Sequence, residues 1–108
     1  RRAIGVLAAA HRSYSSCTQY KQNVLQAREA VQADGVRPIE VTYVNDWHLH
    51  DGFLTAVADH VVVARDTLPA DLQGRARLVF TAHSVPTSMT GADTYRLQLQ
   101  TSAAEVAR

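Results

Sequence analysis

The stretch Ala3-Ile4-Gly5-Val6-Leu7-Ala8-Ala9-Ala10, followed at once by His11-Arg12-Ser13-Tyr14-Ser15-Ser16, decides how the chain is read. A near-continuous apolar run of strand length suits a strand buried on both faces, and the polar cluster ending it reads as a loop at the strand's carboxyl end. Working outward, Val24, Leu25, Ala27, Ala30 and Val31 recur at helical spacing, which predicts a helix from about Cys17 to Asp34. Gly35 stands where that helix would stop and supplies a residue that tolerates positive φ. Alternation of Ile39, Val41 and Tyr43 predicts a second strand from about Arg37 to Val44, and Asn45 to Gly52 follows as a polar loop holding Trp47. Leu54, Val57, Ala58, Val61 and Val62 form an apolar stripe for a helix from Phe53 to about Thr67, broken by Leu68-Pro69-Ala70. A third strand is expected over Ala76 to Ala82, and a last helix over about Tyr95 to Arg108.

The resulting order, β-α-β-α-β-α, implies an α/β fold with a doubly wound parallel sheet and right-handed crossovers. Ligands of such sheets bind outside the carboxyl ends of the strands. All three loops expected there carry histidine: His11, then His48 and His50, then His83. Gly5 lies inside a strand rather than after one, which argues against a dinucleotide site, and there is no internal repeat or Gly-rich phosphate loop.

At 108 residues and 11.8 kDa the chain has the size of one small domain or a piece of a larger one. Its 46% hydrophobic and 19% charged residues are those of a folded chain, not a disordered one. With a net charge of +1 and no run of Lys or Arg, nothing points to a nucleic-acid partner. No apolar stretch approaches the roughly 18 residues of a transmembrane segment, and the start lacks a signal-peptide pattern. A single cysteine, Cys17, excludes an internal disulfide, so a reducing cytoplasm is the expected compartment. The opening on Arg1-Arg2 without Met, and the stop on Arg108 inside a helical pattern, lead us to expect a partial stretch of a longer chain.

The segment Leu78-Val79-Phe80-Thr81-Ala82-His83-Ser84-Val85-Pro86 carries the strongest chemistry. A strand delivers His83 to the rim of the cleft, and Pro86 stiffens the turn beyond Ser84. Imidazole ligates ferrous iron and also accepts protons near neutral pH. The structural alternative is a histidine that merely hydrogen-bonds the backbone at the strand end.

This segment resembles the ferrochelatase signature: two apolar residues, any residue, Ser or Thr, any residue, His, Ser or Gly, an aliphatic residue and Pro. Every position from Leu78 to Pro86 fits. The family continues through a short loop to Gly-Asp-Pro-Tyr; here Thr87 to Thr90 is followed by Gly91-Ala92-Asp93-Thr94-Tyr95, matching at Asp93 and Tyr95 but not at Ala92 and Thr94. A second block, His11 to Tyr20, is similar to the family's loop lining the porphyrin cleft. A third, Trp47 to His60, resembles its stretch with Trp, a nearby His and Ala-Asp-His, here Trp47, His50 and Ala58-Asp59-His60.

The resemblance implies a two-lobed α/β chelatase with a porphyrin held between the lobes, ferrous iron as the metal substrate and haem synthesis as the setting. It implies that His83 binds or delivers ferrous iron and takes up a pyrrole proton. The acidic partner that the family supplies has no match here, since Glu105 fits no family motif. His11, Ser13, Tyr14 and Tyr20 fall on the porphyrin-binding wall, and Trp47, His50 and Ser84 on the cleft lining. Tyr20 can equally be a half-buried aromatic at a helix start, and Trp47 a packing anchor. Asp59 and His60 would join a hydrogen-bond network rather than a metal, because adjacent helical positions point about 100° apart. Cys17 lies where some relatives place one thiolate of a [2Fe–2S] cluster, which needs three more from outside these residues; otherwise it is a small buried apolar group. By the same analogy residues 1–34 end the first lobe and 35–108 begin the second. A bacterial enzyme using coproporphyrin III is favoured over one using protoporphyrin IX. The alternatives are a related cobalt or sirohydrochlorin-type chelatase and a non-catalytic flavodoxin-like binding module.

Overall fold

In the computed structural model, which describes all 108 residues, only Arg2–Gly5 of the opening run forms a strand, paired in parallel with the segment around Val41. Ile4 at 77% and Val6 at 65% exposure show that the run is not buried on both faces within residues 1–108. The elements in order are β1 (Arg2–Gly5), a π-helical turn (Tyr14–Thr18), α1 (Gln19–Ala33), β2 (Glu40–Tyr43), α2 (Asp51–Asp66), α3 (Ala70–Gln73) and α4 (Ala92–Val106). Arg2, Ala3, Ile4 and Gly5 stand opposite Glu40, Val41, Thr42 and Tyr43. Gly5 is required by this register: a Cβ there would lie 2.7 Å from the Tyr43 ring, closer than real side-chain atoms come. Lys21 of α1 reaches over that ring, 5.1 Å from its centre, a cation–π contact that ties helix to sheet.

The helices begin and end where the local chemistry dictates. Gly35 adopts φ +76 just beyond α1, the left-handed conformation that only glycine takes at no steric cost. The helical path starts earlier than the apolar periodicity predicts, because Ser13 and Ser16 cap each other. The Ser16 amide donates to Ser13 Oγ at 3.1 Å, and the Ser13 amide donates to Ser16 Oγ at 3.0 Å. That reciprocal cap turns the expected loop into the π-helical turn feeding α1. At α2, His50 is the N-cap, its Nδ1 accepting from the Gly52 amide at 3.1 Å. Asp51 in the first turn and Arg65 in the last match the helix dipole. Pro69 ends the α2 path and caps the short α3.

The third strand expected over Ala76 to Ala82 does not form, and the doubly wound sheet is reduced to two parallel strands. Its sequence suits a strand, but a strand exists only where a neighbour takes up its N–H and C=O groups. This segment runs beside α2 and α4 instead of along β2. Phe80, Thr81 and Ala82 help to line a 360 Å³ cavity with Phe53 and Val57 of α2 and Leu99 of α4, leaving Val79 74% exposed.

Burial is correspondingly sparse. Five residues are buried, and three of them, Ser13, Gln98 and Ser102, are polar; Ala10 and Cys17 complete the set. The Cα radius of gyration is 19.0 Å, against about 13 Å for a compact domain of this length. Residues 1–108 thus form an open α/β scaffold whose best-packed point is a polar junction, and that junction lies beside the histidine-bearing loops.

Candidate functional site

The junction gathers the loop after β1, the loop after β2 and one face of α4. Gln98 and Ser102, four apart on α4, share that face with Tyr95. The Arg12 amide donates to Gln98 Oε1 at 2.6 Å, and Gln98 Nε2 donates to Asp46 Oδ2 at 3.0 Å. Arg12 closes the ring through Nε and Nη2, which donate to Asp46 Oδ1 at 3.1 and 2.9 Å. Burial pushes the Asp46 carboxyl up. The hydrogen bonds from Arg12 and Gln98, with attraction to Arg12 and His48, outweigh that push and hold it below the ordinary carboxylate range.

Ser102 makes the second tie. Its hydroxyl donates to the His48 carbonyl at 2.8 Å, and its oxygen lies 3.0 Å from His11 Nε2. A serine hydroxyl has one hydrogen, and the carbonyl can only accept. Nε2 of His11 is therefore the protonated nitrogen and donates to Ser102. The His11 ring sits among His48 at 6.3 Å, Phe53 at 6.0 Å and Tyr95 at 6.4 Å between centroids, edge-on to the last two. Burial first, and repulsion from His48 second, lower the His11 pKa, so the neutral ring is the dominant form near pH 7.

His83 lies across a small cavity of about 280 Å³ that His11, Ser13, Val85 and Tyr95 also line. Its side chain is exposed, and its Nδ1 is 2.8 Å from the Ser84 carbonyl. The carbonyl accepts, so Nδ1 holds the proton and the neutral ring keeps its lone pair on Nε2. Tyr95 donates its hydroxyl to the His83 carbonyl at 3.2 Å. One tyrosine thus touches both histidines, with its ring edge-on to His11 and its hydroxyl on the His83 backbone.

The other predicted residues divide between this cavity and the scaffold. Tyr20 is 58% exposed and lines an open cavity of about 570 Å³ with Val6, Leu7, Ala8 and Ser15. Tyr14 donates to Gln22 Oε1 at 2.9 Å and is 39% exposed. Trp47 is a packing anchor: its Nε1 donates to the Leu7 carbonyl at 3.0 Å, and its ring meets Phe53 edge-on at 5.3 Å. His50 caps α2, and Ser84 is exposed. Asp59 and His60 are exposed on α2, and no three metal-ligating side chains cluster anywhere in the chain. Cys17 is buried, with its Sγ 3.5 Å from Ser16 Oγ. Four thiolates hold a [2Fe–2S] cluster and this chain has one, so these residues alone do not fit the group.

Arg12, Asp46, Gln98 and Ser102 were missed as site residues in the sequence reading. Their one legible signal is the spacing Tyr95, Gln98, Ser102, which puts polar groups on a single stripe of α4.

Fold and site together define an α/β protein that brings two imidazoles, His11 and His83, to one open cavity. The chain belongs to the ferrochelatase family, whose model matches residues 1–108. It is 39% identical over 88 residues, 81% of this chain, to a coproporphyrin III ferrochelatase of Streptomyces griseus. It is 38% identical over 102 residues, 92% of the chain, to a coproporphyrin III ferrochelatase of Mycolicibacterium smegmatis, and 36% identical over 107 residues, 99% of the chain, to a ferrochelatase of Rhodopirellula baltica. The chain spans 24 to 29% of the length of these relatives. No solved structure matches it. No helix is long and apolar enough to cross a membrane.

Proposed function

We propose that this chain is part of an enzyme that inserts ferrous iron into a porphyrin for haem synthesis, with His83 at the reacting centre. The family match over residues 1–108 carries the reading, and the tautomer of His83 suits it. A porphyrin loses two pyrrole protons as a metal enters. His83 Nε2, which carries the lone pair in the neutral ring and lies on an exposed side chain, is fit to hold the incoming iron and to take up a proton. The apolar cavity beside Tyr20, with the loop carrying Ser13 and Tyr14, would form the wall against which the macrocycle lies. Residues 1–34 would belong to a first lobe and 35–108 to a second. Coproporphyrin III is the favoured substrate, because most of the similar relatives are named for it.

The test is anaerobic insertion of ferrous iron into coproporphyrin III and protoporphyrin IX by the full-length protein, wild type and His83→Ala. Insertion lost in the variant, with porphyrin binding retained, is the expected result; near-normal turnover of His83→Ala would sink the assignment.

The same reading makes Cys17 one thiolate of a [2Fe–2S] cluster whose other ligands lie outside residues 1–108. Full-length protein purified without oxygen should then be brown, and Cys17→Ser colourless. A colourless, iron-free wild type overturns this part alone.

A further inference from the structure

Tyr95, Gln98 and Ser102, on one stripe of α4, between them reach all three histidine-bearing loops. Tyr95 donates to the His83 carbonyl at 3.2 Å, and Ser102 ties the His48 carbonyl to His11 Nε2. Gln98 uses both halves of its amide. Its Oε1 accepts from the Arg12 amide at 2.6 Å while its Nε2 donates to Asp46 Oδ2 at 3.0 Å, and the residue is only 6% exposed. The loop that runs on from Arg12 has its own brace, because Ser13 and Ser16 cap each other and Trp47 holds the Leu7 carbonyl. Neither contact involves Gln98. What Gln98 governs is therefore where that loop stands relative to α4, not the shape of the loop.

We propose that Gln98 is a positioning residue of iron insertion. It fixes the loop of His11 and Arg12 on the helix whose Tyr95 holds His83, and so sets the gap between the porphyrin wall and the reacting imidazole. The proposal rests on the chelatase reading and deepens it. A side-chain amide suits the place because it accepts from an N–H and donates to a carboxylate at once. A small error in the gap reaches the chemistry, since reacting atoms must be held about 3–3.5 Å apart.

The test exchanges amide and carboxylate in the full-length protein: Gln98→Glu, Asp46→Asn, and both together. Gln98→Glu sets two carboxylates where a 3.0 Å hydrogen bond stood. Asp46→Asn leaves an Arg12 or Gln98 donor without an acceptor, whichever way its amide turns. The double variant restores every bond: the new amide at 46 donates to the new carboxylate at 98, which still accepts from the Arg12 N–H. Each single change should lower kcat for iron insertion about tenfold, with the porphyrin KM close to wild type. The double should recover most of the loss. For Gln98→Glu, kcat relative to wild type should rise as pH falls, because one proton shared by the two carboxyls remakes the donor. Arg12 and His48 face this pair and are unchanged in the variant, so the ratio isolates the carboxyls. A merely weakened fold gives the opposite slope, since the junction loses stability toward acid.

Unchanged kcat in a folded Gln98→Glu, a loss confined to KM, or a double variant no better than the singles would each overturn the proposal. So would fast hydrogen exchange of the Arg12 amide in the wild type, a measurement free of any variant's folding; slow exchange is expected. His83-dependent insertion with kcat indifferent to Gln98 overturns this inference and leaves the proposed activity standing. A wild type that inserts iron into neither porphyrin overturns the activity and this inference with it.

Discussion

The loop after β1 and the loop after Ala82 each bring one histidine to the same cavity, but by different means. His11 sits in a junction where Arg12, Asp46, Gln98 and Ser102 tie two loops to α4 through a closed set of hydrogen bonds, and Gln98 and Ser102 are almost wholly buried. His83 follows an unpaired, exposed segment and is tied to another element only by the Tyr95 hydroxyl on its carbonyl. The first loop is fixed by polar groups that would be costly to leave unpaired in a buried place. The second has no such network among residues 1–108. The pair thus sets a rigid wall, tied on several sides, against a more adaptable one, tied to another element by a single hydrogen bond.

The sharpest way to break this comparison is at His83. If its Nε2 is the reacting group, His83→Ala should lower the insertion rate by about 10²- to 10⁴-fold, measured anaerobically, while porphyrin fluorescence titration stays close to wild type. A loss of the same size from a change in the rigid wall would show that the chemistry is shared equally between the two.

Removal of Gln98 comes next. Gln98→Leu leaves the Arg12 amide and one Asp46 oxygen without partners, so it should cost about 1–3 kcal/mol of stability. Denaturant unfolding of the full-length protein is the measurement, and no change would mean that the junction is held by packing instead. Tyr95→Phe removes one neutral hydrogen bond from the adaptable wall and should cost only about 0.5–1.5 kcal/mol. Its signature should be a lower kcat at unchanged porphyrin binding, because the ring that packs on His11 is retained.

The smallest effect concerns pH. The folded-state pKa of Asp46 is depressed, so the stability it contributes is present above its unfolded pKa and is lost as pH falls through its folded value. His11 is also depressed: the unfolded chain takes up its proton first, and stability falls in the same direction, starting as pH drops below the ordinary histidine value. Carbon-13 titration should place Asp46 below ordinary carboxylates. Asp46→Asn should flatten the acid limb of the stability curve and leave the histidine limb in place. Because the Asp46 side chain is 30% exposed, solvent screening should make this effect weak.

Much of the scaffold was legible in the residues. The apolar run from Ala3, the helical stripes of α1 and α2, Gly35 as a helix stop and Pro69 as a breaker are local signals, because propensity and periodicity act within a few residues. The signature from Leu78 to Pro86 pointed to His83 and to the family for the same reason: it is contiguous. The segment Ala76 to Ala82 shows where that logic stops. Its composition is that of a strand, but strand formation is settled by a neighbour's hydrogen-bonding edge, which no local pattern encodes. The tautomers of His11 and His83 lie beyond sequence for a related reason. Which ring nitrogen holds the proton depends on what stands opposite it, and for His11 that is Ser102, brought there from the far end of the chain. Sequence by itself determined two strands, the three long helices, the family and the histidine-bearing loops. Tertiary structure alone decided which of those loops share a wall, what holds each, and which nitrogen each imidazole leaves free, because these are properties of pairs distant in sequence.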